Sequence, residues 1–293
     1  MNCRGLSLNL NRSKTVKRYI ALVLCSVWLN SFSLATVSGC TQSENQPSDP
    51  PATRKQPPDY NAGEIEEILL KMNNATKKLK SCQAKISYLF IQDPDLLDSK
   101  TLQNGMLYYQ QDNDRSQLRI RFDDLKQEDF NPENRREEFL FDGAWLTRID
   151  FKLKQIDRYQ KAPEDNPIGV FELISHSFPL VGFSNIDQLK KDFDITLPEK
   201  SNESTPSINL LLNVKKGSKY EKEYKKIDFR ADSETYMPQQ IVAYSSQGDI
   251  YNIKFTEFEI NKKLKKAVFI IETPPDFRKN IEPLDEKPPE KGN

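Results

Sequence analysis

The chain has 293 residues, 43 basic and 43 acidic, with 37% hydrophobic, 10% aromatic and 29% charged side chains. Residues 1–39 carry only positive charge (Arg4, Arg12, Lys14, Lys17, Arg18), so the remainder is acidic, with 38 basic against 43 acidic groups; this excludes the clustered basic footprint of a nucleic-acid binder, and so high a charged fraction excludes a multi-span membrane protein. The single histidine, His176, leaves no site with two His ligands and no His-based triad that does not consume it, and the ten glycines form neither GxGxxG nor GxxxxGK(S/T).

The N-terminus is the most specific signal. A basic stretch ending at Arg18 precedes the apolar run Tyr19–Leu29, which Asn30, Ser31 and Ser33 interrupt. Such a run makes about 16 Å of helix, too short for a hydrocarbon layer of about 30 Å, and reads as a secretory signal peptide. It ends in Val37-Ser38-Gly39-Cys40, which resembles the bacterial lipobox, where a diacylglyceryl thioether forms on the cysteine before cleavage. The resemblance implies a signal peptide over 1–39 and a lipidated Cys40 as first mature residue. Each buried CH₂ contributes about 0.8 kcal/mol, so two or three acyl chains anchor stably. Cys3 and Cys25 then leave with the leader and only Cys82 remains, a small buried hydrophobe with no partner for a disulfide. Thr41 lacks the acidic character associated with inner-membrane retention in some bacteria, so the expected location is the envelope, facing the periplasm, on the outer membrane rather than the inner.

Residues 40–60 hold five prolines and almost no apolar side chains, and read as a flexible tether. Asn61 and Glu64 suit a helix start, and Ile65, Ile68, Leu69, Met72, Ala75 and Leu79 recur at helical spacing, predicting a helix over 62–80. Period-two patterning then predicts strands at Cys82–Gln92, Leu102–Gln110, Ser116–Asp123, Glu137–Phe141, Trp145–Phe151 and Gln155–Gln160, with a polar loop over 124–136 and an Asp142-Gly143 turn. Residues 162–193 interrupt this meander with two short helical patterns broken at Pro179 and Gly182, Ser184 and Asp187 forming a capping pair before the second. Strands return at Asp194–Pro198, Ser207–Val214, Tyr224–Ala231, Gln239–Ser245, Ile250–Ile260 and Ala267–Glu272, and the charged, Pro-rich 278–293 reads as a disordered tail. The expectation is one α+β domain over 61–277, built on a single curved antiparallel sheet.

Four motifs carry a family resemblance across 62–277. Gly105-Met106-Leu107-Tyr108-Tyr109 leading into Arg115-Ser116-Gln117-Leu118 resembles a Gly-x-Leu strand followed by Arg-Pro-x-Leu, with Ser116 in place of the proline. Phe141-Asp142-Gly143-Ala144-Trp145-Leu146 resembles a DG-x-x-L-W hairpin, Asn166-Pro167-Ile168 to Leu173-Ile174 a Pro-led helix, and Phe269–Pro275 a closing F-x-F-x-P-P strand. In this order they are similar to the periplasmic lipoprotein carrier and outer-membrane lipoprotein receptor family (LolA/LolB-like).

The resemblance implies an unclosed β-barrel of about 11–12 strands, with helices covering its concave face and acyl chains of a lipoprotein between them. Wall candidates are Leu118, Ile120, Phe122, Phe139, Phe141, Trp145, Ile149, Phe151, Ile253 and Phe255, and lid candidates are Phe171, Leu173, Ile174 and Phe178. Arg115 falls where the carrier branch has an arginine that hydrogen-bonds to the lid. The receptor branch uses an exposed apolar loop residue near the membrane, and Leu125 and Phe130 occupy the loop 124–136 here. The implied partners are lipoprotein acyl chains, the membrane through the N-terminal lipid, and other components of envelope lipoprotein sorting. No nucleic acid, metal or cofactor is expected, and the chain is expected to be a monomer. No spacing singles out a pair among the many acids as catalytic, so the expectation is a non-enzyme. The alternatives are a lipid- or lipoprotein-sensing envelope regulator on the same fold, and a structural lipoprotein with a collapsed cavity.

Overall fold

The computed structural model describes residues 62–112, 115–177, 186–198 and 207–284. The leader, Cys40, the tether, Phe178, Pro179, Gly182, Ser184 and residues 285–293 lie outside the described residues, and of His176 only the backbone lies within them. Chain order is α1 (Ala62–Lys77), β1 (Ser81–Gln92), β2 (Ser99–Asp112), β3 (Arg115–Gln127), β4 (Glu133–Phe141), β5 (Trp145–Asp150), β6 (Gln155–Gln160), α2 (Val170–Ser177), α3 (Ile186–Asp192), β7 (Phe193–Thr196), β8 (Ser207–Val214), β9 (Tyr224–Asp232), β10 (Pro238–Ser245), β11 (Ile250–Ile260), a 3₁₀ turn (Lys266–Phe269) and β12 (Arg278–Glu282).

The strands form one 12-stranded sheet in the order β12-β6-β5-β4-β3-β2-β1-β11-β10-β9-β8-β7, and its two edges do not pair with each other. Two meanders meet where β1 pairs antiparallel with β11, Tyr88 opposite Ile253 and Ile86 opposite Phe255. Because pairing partners share a face, the register carries two apolar rows on one face, offset along β1. One runs from Phe141 and Leu118 through Tyr109 to Cys82, the other from Tyr88 through Ile253, Ile241 and Phe229 to Leu210. Ile65, Leu69 and Met72, one stripe of α1, are buried in the same cluster. Burying each such side chain contributes roughly 1.5–3 kcal/mol, which fixes α1 on the concave face better than the propensity of a 16-residue helix would.

Three departures from the sequence expectations have local causes. The expected loop 124–136 is mostly strand: β3 runs on to Gln127 and β4 starts at Glu133. A shift in the β2–β3 register, with Gly105 opposite Phe122 and Asn104 opposite Asp124, leaves one extra residue on β3 and resets its alternation, so Leu125 is buried while the pattern reads as charged loop. Ala267–Glu272 is not a strand but carries the 3₁₀ turn Lys266–Phe269. Finally, Arg278–Glu282, read as tail, is β12, paired parallel to β6. All five of its residues are exposed, so no apolar period marks it; backbone pairing and Asn280 Nδ2 donating to Asp157 (2.7 Å) hold it.

Candidate functional site

Where α1 ends and α2 begins, the concave face leaves a cavity of about 80 Å³. Its floor is Leu107, Tyr109, Leu118, Cys82 and Phe255; Thr76 and Leu79 close the α1 side, Val170, Phe171 and Ile174 the α2 side, and Tyr236, Met237, Pro238 and Phe258 the far rim. Burial alone pushes the Cys82 thiol and the Tyr109 phenol up to about 12, so both line the cavity as neutral groups and neither supplies a nucleophile at neutral pH. A space with these walls solvates methylenes and offers almost nothing to a polar ligand. It exceeds the ~10–15 Å³ that one water requires and falls short of the ~150 Å³ of a cavity that holds benzene. As it stands the space is too small for a long hydrocarbon chain.

The cover is tied down at its start. Ser116 Oγ, 2% exposed on β3, accepts the N–H of Val170 at 2.7 Å, and so satisfies one of the orphan donors at the α2 N-terminus from a neighbouring strand. The approach to α2 is anchored on the β4–β5 turn: Ile168 N–H donates to the Gly143 carbonyl (2.9 Å) and Lys161 N–H to that of Ala144 (2.7 Å). Gly143 has φ +101°, and a Cβ there would come within 3.1 Å of Pro167. Arg115 Nη2 donates to the Glu164 carbonyl at 3.1 Å, so it grips the loop leading to the lid rather than the helix itself. Sequence reasoning noticed Ser116 only as a missing proline; its Oγ is the group that reaches the helix.

The wall candidates divide between two faces. Leu118, Ile120, Phe122, Phe139, Phe141, Ile253 and Phe255 belong to the concave cluster, and Leu118 and Phe255 line the cavity itself. Phe122 packs between Tyr88 and Phe139, away from the cavity. Of the lid candidates, Phe171 and Ile174 line the cavity, Leu173 is buried in the cluster, and Phe171 stacks on Tyr109 with ring centroids 5.0 Å apart.

Trp145, Ile149 and Phe151 stand on the opposite, convex side, which corrects the expectation for these three. The register makes Leu146, Arg148 and Asp150 the concave residues of β5, opposite Phe141, Phe139 and Glu137. Trp145 donates its Nε1 to Glu164 (2.7 Å) beneath the Arg158 guanidinium, and Phe151 packs on Phe277 with centroids 5.6 Å apart. Ile149 is fully buried outside the main cluster. The cause is the C-terminal segment: it crosses the convex face, Arg119 donating to the Val268 carbonyl and Phe269 buried, so β5 is covered on both sides and its alternation no longer reports one core.

The concave wall beneath β4–β6 also holds a buried ionic cluster that sequence reasoning missed. Arg148 bonds to Glu137 Oε1 at 2.5 Å and lies 3.5 Å from both Asp150 and Asp157, while Arg135 reaches Asp150 at 3.3 Å. Glu137 is fully buried and accepts from Gln103 at 3.4 Å. Burial pushes its carboxyl above the ordinary range, with the Arg148 charge pulling it back. Charged residues on a strand face signal solvent in a sequence, and only the tertiary register reveals that these meet. The apolar cavity lies apart from this cluster, on the β1–β3 and β9–β11 side. Among the described residues no group of acids, cysteines and histidine could hold a metal ion.

No protein-family model matches the chain, and no curated protein matches it. Solved structures resemble it in fold. An uncharacterized conserved protein from Thermus thermophilus aligns with TM-score 0.45 and 11% identity, covering 75% of this chain and 99% of that one. MucB in the Pseudomonas aeruginosa MucA/MucB complex aligns with TM-score 0.41 and 12% identity over 71% and 61% of the two chains. A LolA superfamily protein from Nitrosomonas europaea aligns with TM-score 0.32 and 13% identity over 70% and 97%. The chain's own architecture is an unclosed, twelve-stranded, mostly antiparallel sheet with few helices among the described residues.

Proposed function

We propose that the domain binds the acyl chains of a lipoprotein in transit through the cell envelope, with α2 as a lid that must open for loading. The observation that carries this is the almost wholly apolar cavity between the concave face and the α1 and α2 helices, at the one part of the concave wall free of the ionic cluster. Its small closed volume suits a carrier: a permanent space for two or three chains would bind them too tightly to release. The lipobox ending at Cys40 supports a lipid-anchored protein tethered by 41–60, facing the periplasm, on the outer membrane in this reading. The residues proposed to touch the chains are Leu118, Phe255, Phe171 and Ile174, with Leu107, Tyr109 and Phe258 beside them.

The test is to purify the full chain from a bacterial envelope and extract what it carries. Co-purified lipoprotein supports transport; free lipid alone turns the reading to a sensor. Phe171→Glu is the informative variant, because Phe171 is only partly buried on the lid, whereas Phe122→Glu would place a charge in the packed core and unfold it. Phe171→Glu should lose its cargo with an unchanged melting temperature. Normal loading would place the acyl chains elsewhere.

A further inference from the structure

We infer that the free edge of β12 is a docking site for a second copy of this chain, joined strand to strand about a two-fold axis. β12 ends the sheet order, so one side of it pairs with β6 and the other takes no strand among the described residues. Arg278 turns its backbone inward, its N–H donating to the Lys154 carbonyl (2.9 Å). Asn280 and Glu282 follow it at the strand period of two, so Lys279 and Ile281 hold their N–H and C=O groups outward. All five residues of β12 are exposed, and Ile281 leaves 58% of its surface in water. Such an edge is a template for another strand, and its charges decide which strand it admits.

The occupant is fixed by the sequence Arg278-Lys279-Asn280-Ile281-Glu282, which is complementary to itself when reversed. The register with β6 places Arg278, Asn280 and Glu282 on the concave side and Lys279 and Ile281 on the convex side. In an antiparallel pair centred on Asn280, Arg278 faces the partner's Glu282, and Ile281 lies against the aliphatic stem of the partner's Lys279. The outward backbone groups of Lys279 and Ile281 then meet those of the partner's Ile281 and Lys279, so the ladder closes on both sides of the axis. The neighbouring registers fail. Centred on Lys279, two ammonium groups stand face to face; centred on Ile281, Lys279 meets the partner's Pro283, which has no N–H to donate. β6, β5 and β4 separate this edge from β3, so pairing leaves the cavity and α2 uncovered. A contact this short makes a weak isologous dimer of a chain whose sequence reads as a monomer.

Sedimentation of the full chain in detergent, from about 1 μM to about 1 mM, tests this over the range in which small interfaces associate. The mass should rise from one chain towards two. Glu282→Arg sets arginine against arginine on both sides of the axis and should weaken association roughly tenfold. Arg278→Glu and Glu282→Arg in one chain should restore it. Asn280→Cys lies on the axis, where the two Cα atoms stand about 4.5 Å apart, and should give a disulfide-linked dimer on mild oxidation. Lys279→Cys alone should not, but should link to Ile281→Cys when the two variants are mixed. That mixed pair keeps Asn280 on Asp157, and so reads the edge even where Asn280→Cys loosens β12. One chain at every concentration, or an association that Glu282→Arg leaves unchanged, overturns the inference. So does a Lys279→Cys dimer that forms as fast as the Asn280→Cys dimer, because the axis then passes through a different residue.

Discussion

Ser116→Ala isolates the lid from the rest of the fold. The Ser116 Oγ to Val170 N–H bond is buried at 2.7 Å, and its loss leaves a helix-terminal donor without that partner inside the protein. Losing a cap of this kind costs about 1 kcal/mol, with a range of about 0.5–2. What remains to hold α2, an eight-residue helix too short to persist alone, is the burial of Val170 and Leu173 and the Phe171–Tyr109 stack. Because α2 carries no strand of the sheet, the loss falls on local opening rather than on global unfolding. The open fraction should rise roughly fivefold. Hydrogen exchange on the full chain would then be roughly fivefold faster at 170–174, with the amides of β1, β2 and β11 unchanged. Exchange of an apolar fluorescent probe should accelerate by a similar factor. If 170–174 and the central strands accelerate together, Ser116 supports the whole sheet and is no latch. If nothing accelerates, the apolar contacts alone hold the lid.

Mass spectrometry of the N-terminus should find an acylated Cys40, and an unmodified N-terminus at another residue would remove the anchor. Arg148→Met should destabilise by about 3–5 kcal/mol, because Glu137 and Asp157 lose their buried counter-charge and Asp150 is left with Arg135 alone. The folded protein then holds the Glu137 proton more tightly than the unfolded chain, so stability falls as pH rises above the ordinary carboxylate range. Thermal melts should show the smaller loss near about pH 5 and the larger near about pH 8; an equal loss at both would mean Glu137 stays ionised throughout. Gly105→Ala should cost on the order of 3 kcal/mol in denaturant melts, since a Cβ would lie 1.8 Å from the Arg121 carbonyl oxygen where the β2–β3 register shifts; a near-neutral result would mean that the two strands part easily there.

Local pattern determined much of this protein. The alternation of Ser207–Val214 and Ile250–Ile260 defined two strands to the residue, and the stripe Ile65, Leu69, Met72 placed α1 against the core, because each of these segments has one dry and one wet face. Order along the chain, helix, meander, helical insertion, meander, was enough for the single sheet. What only the tertiary structure decided lies where that condition fails. Trp145, Ile149 and Phe151 stand on the convex side because β5 has two dry faces, and β12 has no dry face at all. Leu125 changed sides through one inserted residue, and Arg148 with Glu137 became interior only through partners on other strands. The latch is the clearest case: Ser116 and Val170 are 54 residues apart, and the serine hydroxyl acquires its role only because β3 starts where α2 begins. Periodicity records whether a face meets water, averaged along one segment; it holds no record of which distant group meets it there.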